Sequence, residues 1–149
     1  MLIKIIYNLA KLVTYQKKKL KAKLMRTINE LKFSQDHVWL AHIESNKYHL
    51  GITDFAQDLL GDIVFVDIKL NVAIPPNSPL GIIESVKTAS DIVSPANIKV
   101  IGLNPLIEKS PETINDKPYE TWICEITLDS DVEIDNLLNY EHYLDLIKE

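Results

Sequence analysis

The sequence predicts a β-rich barrel or sandwich carrying a few short helices. Three observations predict it. Short apolar runs with two-residue alternation recur between Asp36 and Leu128. Proline and asparagine break them at close intervals, as in Ile74-Pro75-Pro76-Asn77-Ser78-Pro79. Helical spacing is confined to the two ends and one short internal stretch.

With 149 residues, 46% of them apolar and 25% charged, the chain can bury one real core. A single cysteine, Cys124, excludes an internal disulfide and favours a reducing compartment. The longest uncharged stretch near the start, Ile5 to Ala10, is too short for a membrane span or a signal-peptide core. The net charge of −5 conceals an asymmetry. Residues 1–26 hold eight cations and no acid, leaving eight of the 16 cations against all 21 acids, a net of −13, in residues 27–149. So acidic a body is a poor ligand for nucleic-acid phosphates.

In residues 2–25, Leu2, Ile5, Ile6, Leu9, Leu12, Val13, Leu20 and Leu24 recur at helical spacing. Lys4, Lys11 and Lys18 fall on another face. Such a segment reads as a membrane-surface helix, an organelle-targeting segment, an unstructured extension, or residues upstream of the true start. Over residues 1–26 a single arginine, Arg26, and no serine count against targeting.

Trp39, Ala41 and Ile43 alternate with Leu40 and His42, Glu44-Ser45-Asn46-Lys47 turns, and Tyr48, Leu50 and Ile52 alternate again. That is a hairpin. Thr53 or Asp54 caps a short helix over residues 54–60, and Gly61 suits its left-handed C-terminal position. Residues 63–68 form a β-branched, aromatic strand. After the proline loop come two strands flanking Lys87, closed by Ser94-Pro95. Residues 104–121 read as irregular, with one turn capped by Ser110 and started by Pro111. Trp122, Cys124, Ile126 and Leu128 share a strand face. Ser130-x-x-Glu133 reads as a capping box opening an amphipathic helix with Ile134, Leu137, Leu138, Leu144 and Ile147 on its apolar side.

The chain offers little catalytic material. Its four glycines do not cluster into a phosphate loop, and no Cys/His spacing suits zinc. His37 and His42 are five residues apart and face opposite sides of a regular strand; His49 adds no convergent ligand. Cys124, on an apolar face, reads as a buried, inert thiol. Lys87 stands apart. It lies between apolar runs in Gly81-Ile82-Ile83-Glu84-Ser85-Val86-Lys87-Thr88-Ala89-Ser90-Asp91-Ile92-Val93, which lifts one amine to a hairpin tip. Glu84 and Asp91 add negative charge beside it.

Four stretches carry a family resemblance: Asp36-His37-x-Trp39; Gly51-Ile52-Thr53-Asp54-Phe55-Ala56-Gln57 continuing into Leu60-Gly61-Asp62-Ile63-Val64-Phe65-Val66; Glu84-Ser85-Val86-Lys87; and Pro118-Tyr119…Trp122. Over residues 27–149 the chain resembles the glycine cleavage system H protein, a lipoyl carrier. The resemblance implies a flattened β-barrel, or barrel-sandwich hybrid, of the lipoyl/biotinyl-carrier type with short helices and a C-terminal helix. It implies covalent lipoic acid on Lys87, with Glu84, Ser85 and Val86 as recognition neighbours. Val86 and Thr88 stand where biotin carriers have methionines, and Val86 where lipoyl domains of 2-oxoacid dehydrogenases favour Asp. The chain departs from the family at Ala96-Asn97-Ile98 and at Asn77, where turn glycines are usual, and around Pro118-Tyr119-Glu120-Thr121-Trp122, which is one residue shorter.

By the same resemblance the carrier catalyses nothing itself. It shuttles the aminomethyl group from a PLP-dependent glycine decarboxylase to a tetrahydrofolate-dependent aminomethyltransferase. A dihydrolipoyl dehydrogenase reoxidises its swinging arm, and a lipoate ligase or lipoyl transferase loads it. An alternative is an H-like protein relaying lipoyl groups to other lipoate-dependent complexes. Family members begin near the residue corresponding to Met25. This sets residues 1–26 apart as an extension and favours an upstream start in a bacterial cytoplasm; targeting would instead imply the mitochondrial matrix.

Overall fold

The computed structural model describes residues 1–148 and divides the chain into two compact units, Met1–Glu30 and Leu31–Glu149. The first unit is a single helix, α1 (Leu2–Glu30). No proline or glycine interrupts it, so the helical spacing of residues 2–25 runs on through Glu30.

The second unit is built from two antiparallel sheets. Strands β1 (Lys32–Phe33), β2 (Val38–Glu44), β3 (Lys47–Ile52), β5 (Ala73–Ile74), β8 (Ile98–Leu103) and β9 (Cys124–Leu128) form the larger, in the order β1-β2-β3-β9-β8-β5. Strands β4 (Ile63–Ile68), β6 (Pro79–Ser85) and β7 (Ala89–Val93) form the smaller, with β6 in the middle. Leu40, Leu50 and Ile126 from one sheet share a single buried cluster with Ile63, Leu80, Ile83 and Ile92 from the other. The lipoyl-carrier-type expectation holds. Its sandwich aspect dominates, because strand pairing among the described residues closes no ring.

Side-chain alternation explains β9 and most of β3, whereas β2 buries Val38, Trp39 and Leu40 in a row and exposes Ile43. In β9 the burial of Cys124, Ile126 and Leu128 alternates with half-exposed Glu125 and Thr127. Trp122 does not join that face. It lies before the strand and stacks flat on His49, with ring centroids 4.0 Å apart. Strand β8, which the sequence reading left unassigned, buries Ile98 and Val100 by pairing between β5 and β9.

Two other expectations change. Residues 104–121 hold two short helices, α3 (Pro105–Lys109) and α4 (Thr113–Asp116). The cap of α3 is Asn104, whose side chain accepts the Leu106 N–H, with Pro105 in the first turn. The helix expected after Ser130 splits into a 3-10 turn (Asp131–Asn136) and α5 (Tyr140–Lys148). Ser130 Oγ accepts from Val132, not Glu133. The Glu133 carboxylate instead accepts from the Asn97 backbone and side chain. Leu137 is extended, Leu138 bridges to Phe33, and Asn139 accepts the His142 N–H to start α5.

Of the unusual turns, Asn77 takes a left-handed conformation (φ 63°), as a residue replacing glycine must. The Ala96-Asn97-Ile98 turn contains no positive φ. Ser94 Oγ closes it by donating to Ala96 O at 2.7 Å, so glycine is not required there.

Candidate lysine attachment site

Lys87 lies at the tip of the β6–β7 hairpin, where pairing ends at Glu84 opposite Ala89 and Val86-Lys87-Thr88 crosses over. Ser85 organises the crossing. Its N–H donates to Thr88 O at 2.8 Å, and its hydroxyl donates to the same oxygen at 3.2 Å. That hydroxyl also accepts the N–H groups of Lys87 (3.3 Å) and Thr88 (3.1 Å). One side chain thus satisfies backbone groups that a tip leaves without ladder partners. Val86 (73% exposed) and Lys87 face solvent, while Glu84 and Ser85 are half-buried. Among the described residues the ion pairs are Lys47–Glu44 and Lys117–Glu120; Lys87 belongs to neither.

The tip is also held from outside the hairpin. The Val86 N–H donates to Asp62 O at 3.0 Å, tying it to the turn between α2 (Asp54–Leu60) and β4. In that turn Gly61 has φ 82° and ψ −159°. This is not the left-handed helical position expected but the mirror-extended region, essentially reserved for glycine. The Lys87 side chain lies against it: a Cβ built on Gly61 would stand 3.0 Å from Lys87 Cε and 3.5 Å from Nζ.

Helix α2 links this turn to the other motif stretches. Thr53 caps it as expected, its Oγ1 accepting the Ala56 N–H at 3.2 Å. Asp54 Oδ1 accepts from the Tyr119 hydroxyl at 2.8 Å; burial, then this bond, push the Tyr119 pKa far above its ordinary value. The Trp39 indole N–H donates to Ile52 O (2.8 Å) and Pro118 O (3.1 Å). Its ring occupies the space a side chain at Gly51 would need. At the other end, Gln57 Nε2 donates to Gly61 O at 3.3 Å, and Asn115 Oδ1 accepts the Ile63 N–H at 2.8 Å. Stretches far apart in sequence therefore converge on α2, and α2 positions the turn beneath Lys87.

The histidines go separate ways. His37, in a left-handed turn (φ 66°), has Nδ1 2.9 Å from the Tyr143 hydroxyl, which lies 2.8 Å from Thr53 Oγ1. Burial lowers its pKa, with Asp36 opposing. His42 Nε2 meets Ser45 O, and His49 stacks on Trp122. Cys124 is fully buried and its thiol is pushed up to about 12 by desolvation, the inert cysteine expected. Beside the hairpin a cleft of about 190 Å³ has Val38, Leu60 and Ile83 as apolar walls, with Asp36 and Asp91 also in its lining. Sequence reasoning placed Lys87 at a hairpin tip and a helix cap at Thr53 or Asp54, as observed, and named Ser85 only as a recognition neighbour, not as the group that ties the crossing. It missed Asn115 and the support from Asp62, because Asn115 sits in a segment without periodicity.

A sequence model of the family described as glycine cleavage H-protein matches residues 31–149. The glycine cleavage system H protein of Coprothermobacter proteolyticus is 45% identical over 127 residues, covering 84% of this chain and all of that protein. That of Clostridioides difficile is 41% identical over 120 residues, covering 80% and 96%. The crystal structure of a glycine cleavage system H protein from Mycobacterium marinum superposes with a TM-score of 0.71 at 26% identity, covering 81% of this chain and 98% of that one.

Proposed function

Because the chain belongs to the glycine cleavage H-protein family, we propose that it is the lipoyl carrier of that system, with Lys87 as the covalent attachment point. The observation that carries the reading is a solvent-facing amine on a backbone crossing pinned by Ser85 and by Asp62 O. In this reading residues 27–149 are the carrier domain and residues 1–26 an extension.

The residues present fit a lipoyl amide. Lys87 is exposed, and its side chain lies over a glycine rather than a bulky neighbour. When bound, the group supplies a dithiolane able to accept and hand on an aminomethyl unit and to be reoxidised afterwards. The chain's own residues do the rest. Ser85 fixes the tip so that a lipoate ligase or lipoyl transferase meets one presentation of the amine, and Glu84 and Val86 flank it as recognition neighbours. Acylation replaces a cation with a neutral amide. Tethering makes each later encounter effectively intramolecular within reach of the arm.

The decarboxylase, the aminomethyltransferase and the dihydrolipoyl dehydrogenase of the system are the partners this reading assigns, and they contribute all of the catalysis. The net of −13 over residues 27–149 suits docking against basic-rimmed faces. The apolar cleft beside the hairpin, with its carboxylates, suits an arm that is apolar along its length and cationic when loaded. A free buried thiol accords with a cytoplasmic setting.

Intact-mass spectrometry tests the assignment. Protein from cells supplied with lipoate and a competent ligase should carry one lipoyl adduct, and Lys87→Arg should abolish it. Wild-type protein without an adduct under those conditions would sink the idea.

A further inference from the structure

Helix α1 precedes the residues matched by the family, so the carrier reading does not account for it. Over its first twenty residues the large apolar side chains are open to solvent, whereas Ile28 near its C-terminus is buried: Leu2, Ile6 and Leu9 are 70%, 58% and 57% exposed, and Ile5, Leu12 and Val13 about half. At helical spacing these six fall within one arc of about 120°. Lys4, Lys11 and Lys18 lie on the opposite side, while Lys17 and Lys19 border the arc to left and right. There they can bury their stems and keep their ammonium groups at a polar boundary.

The charge pattern adds a second constraint. The helix has no acid before Glu30, so no internal ion pair relieves its lysines. Lys17–Lys21 and Lys19–Lys23 are like-charge pairs four residues apart, a destabilising spacing. A partner must therefore be apolar along a strip and anionic at its edges.

We propose that α1 is an interfacial helix that lies on anionic lipid bilayers. No helix of the described residues is long and apolar enough to cross a membrane, and strong amphipathicity with low mean hydropathy is the signature of a helix lying in the interface plane. An anionic surface attracts this segment and repels the acidic body, tethering the carrier by its basic end. The other candidate is the groove between β4 and α3 of a second copy, lined by Val64, Phe65, Leu70, Glu108 and Glu112. Its lining mixes Lys109 with those acids, whereas the apolar arc continues to Leu20, a run of about 27 Å with lysines alone along its borders. An anionic bilayer meets that whole length with one sign of charge. The inference is independent of whether Lys87 is lipoylated.

Co-sedimentation of the full chain with vesicles tests it. Binding is expected to an equimolar mixture of phosphatidylcholine and phosphatidylglycerol, not to phosphatidylcholine alone, and should weaken with added salt. Replacing Lys17 and Lys19, the lysines that border the arc, by Gln should weaken it about thirtyfold. Leu9→Gln with Leu12→Gln, at unchanged charge, should weaken it roughly tenfold or more. Equal binding to both vesicles, no binding, or full binding by the leucine variant overturns the proposal. A lipid-free dimer that the leucine variant dissolves, without vesicle binding by the wild type, overturns it in favour of a second copy.

Discussion

Gly61 forms the floor beneath Lys87: a Cβ there would come within 3.0 Å of Lys87 Cε, in a backbone conformation with φ 82° and ψ −159°. The two residues sit on different elements, yet the loop that holds one leaves room for the other. A flexible lysine could move aside from an added methyl. The backbone could not, because that region of conformational space excludes a Cβ. Gly61→Ala should therefore cost about 1–3 kcal/mol, chiefly as strain in the α2–β4 turn. Urea unfolding measures the cost, and the rate of enzymatic lipoylation reads its effect on the hairpin. An unchanged midpoint would mean the turn relaxes freely.

Asn115 is the outside brace of the same turn. Its Oδ1 accepts the Ile63 N–H at 2.8 Å and stands 3.4 Å from Gln57 Nε2. Asn115→Ala leaves a part-buried N–H without its acceptor and should cost about 1–3 kcal/mol. Faster amide exchange at Ile63 should accompany the loss. If Ile63 keeps its protection, another acceptor holds the strand.

The pH dependence of stability should carry a signature of His37. Burial lowers its folded pKa below the ordinary 6.5. Between the two values the unfolded chain binds the proton and the folded one does not, so this contribution is present above pH 6.5 and is lost as the pH falls toward the folded pKa. His37→Asn, which tolerates the left-handed φ of 66°, should flatten the decline in urea midpoint between pH 7 and about 5. Parallel curves for wild type and variant would remove His37 as a source of it.

Cys124 should be silent in the native protein. With its thiol fully buried and pushed up to about 12, reaction with an aromatic disulfide reagent should wait for unfolding. Its rate should follow the fraction unfolded across a urea titration. Rapid reaction in native buffer would show that β9 opens locally.

What the sequence determined by itself is what depends on near neighbours. Two-residue alternation specified β3 and the core face of β9, Thr53 and Asp54 announced a helix, and the segment around Lys87 announced a hairpin. Each rests on interactions spanning a few residues. Glu133 shows where that reasoning stops. Its spacing from Ser130 fits a capping box, yet Asn97, 36 residues away, takes the carboxylate, and the expected helix breaks at the Leu138 bridge to Phe33. Trp122 likewise leaves its strand for His49. Only the tertiary structure decided these outcomes, because a polar group or ring bonds to whatever partner folding brings closest. The same holds at the site. The sequence supplied the lysine, its serine neighbour and Gly61 as a helix terminator; three-dimensional packing brought Gly61 beneath Lys87 and supplied Asp62 O and Asn115, which hold the tip and the turn under it.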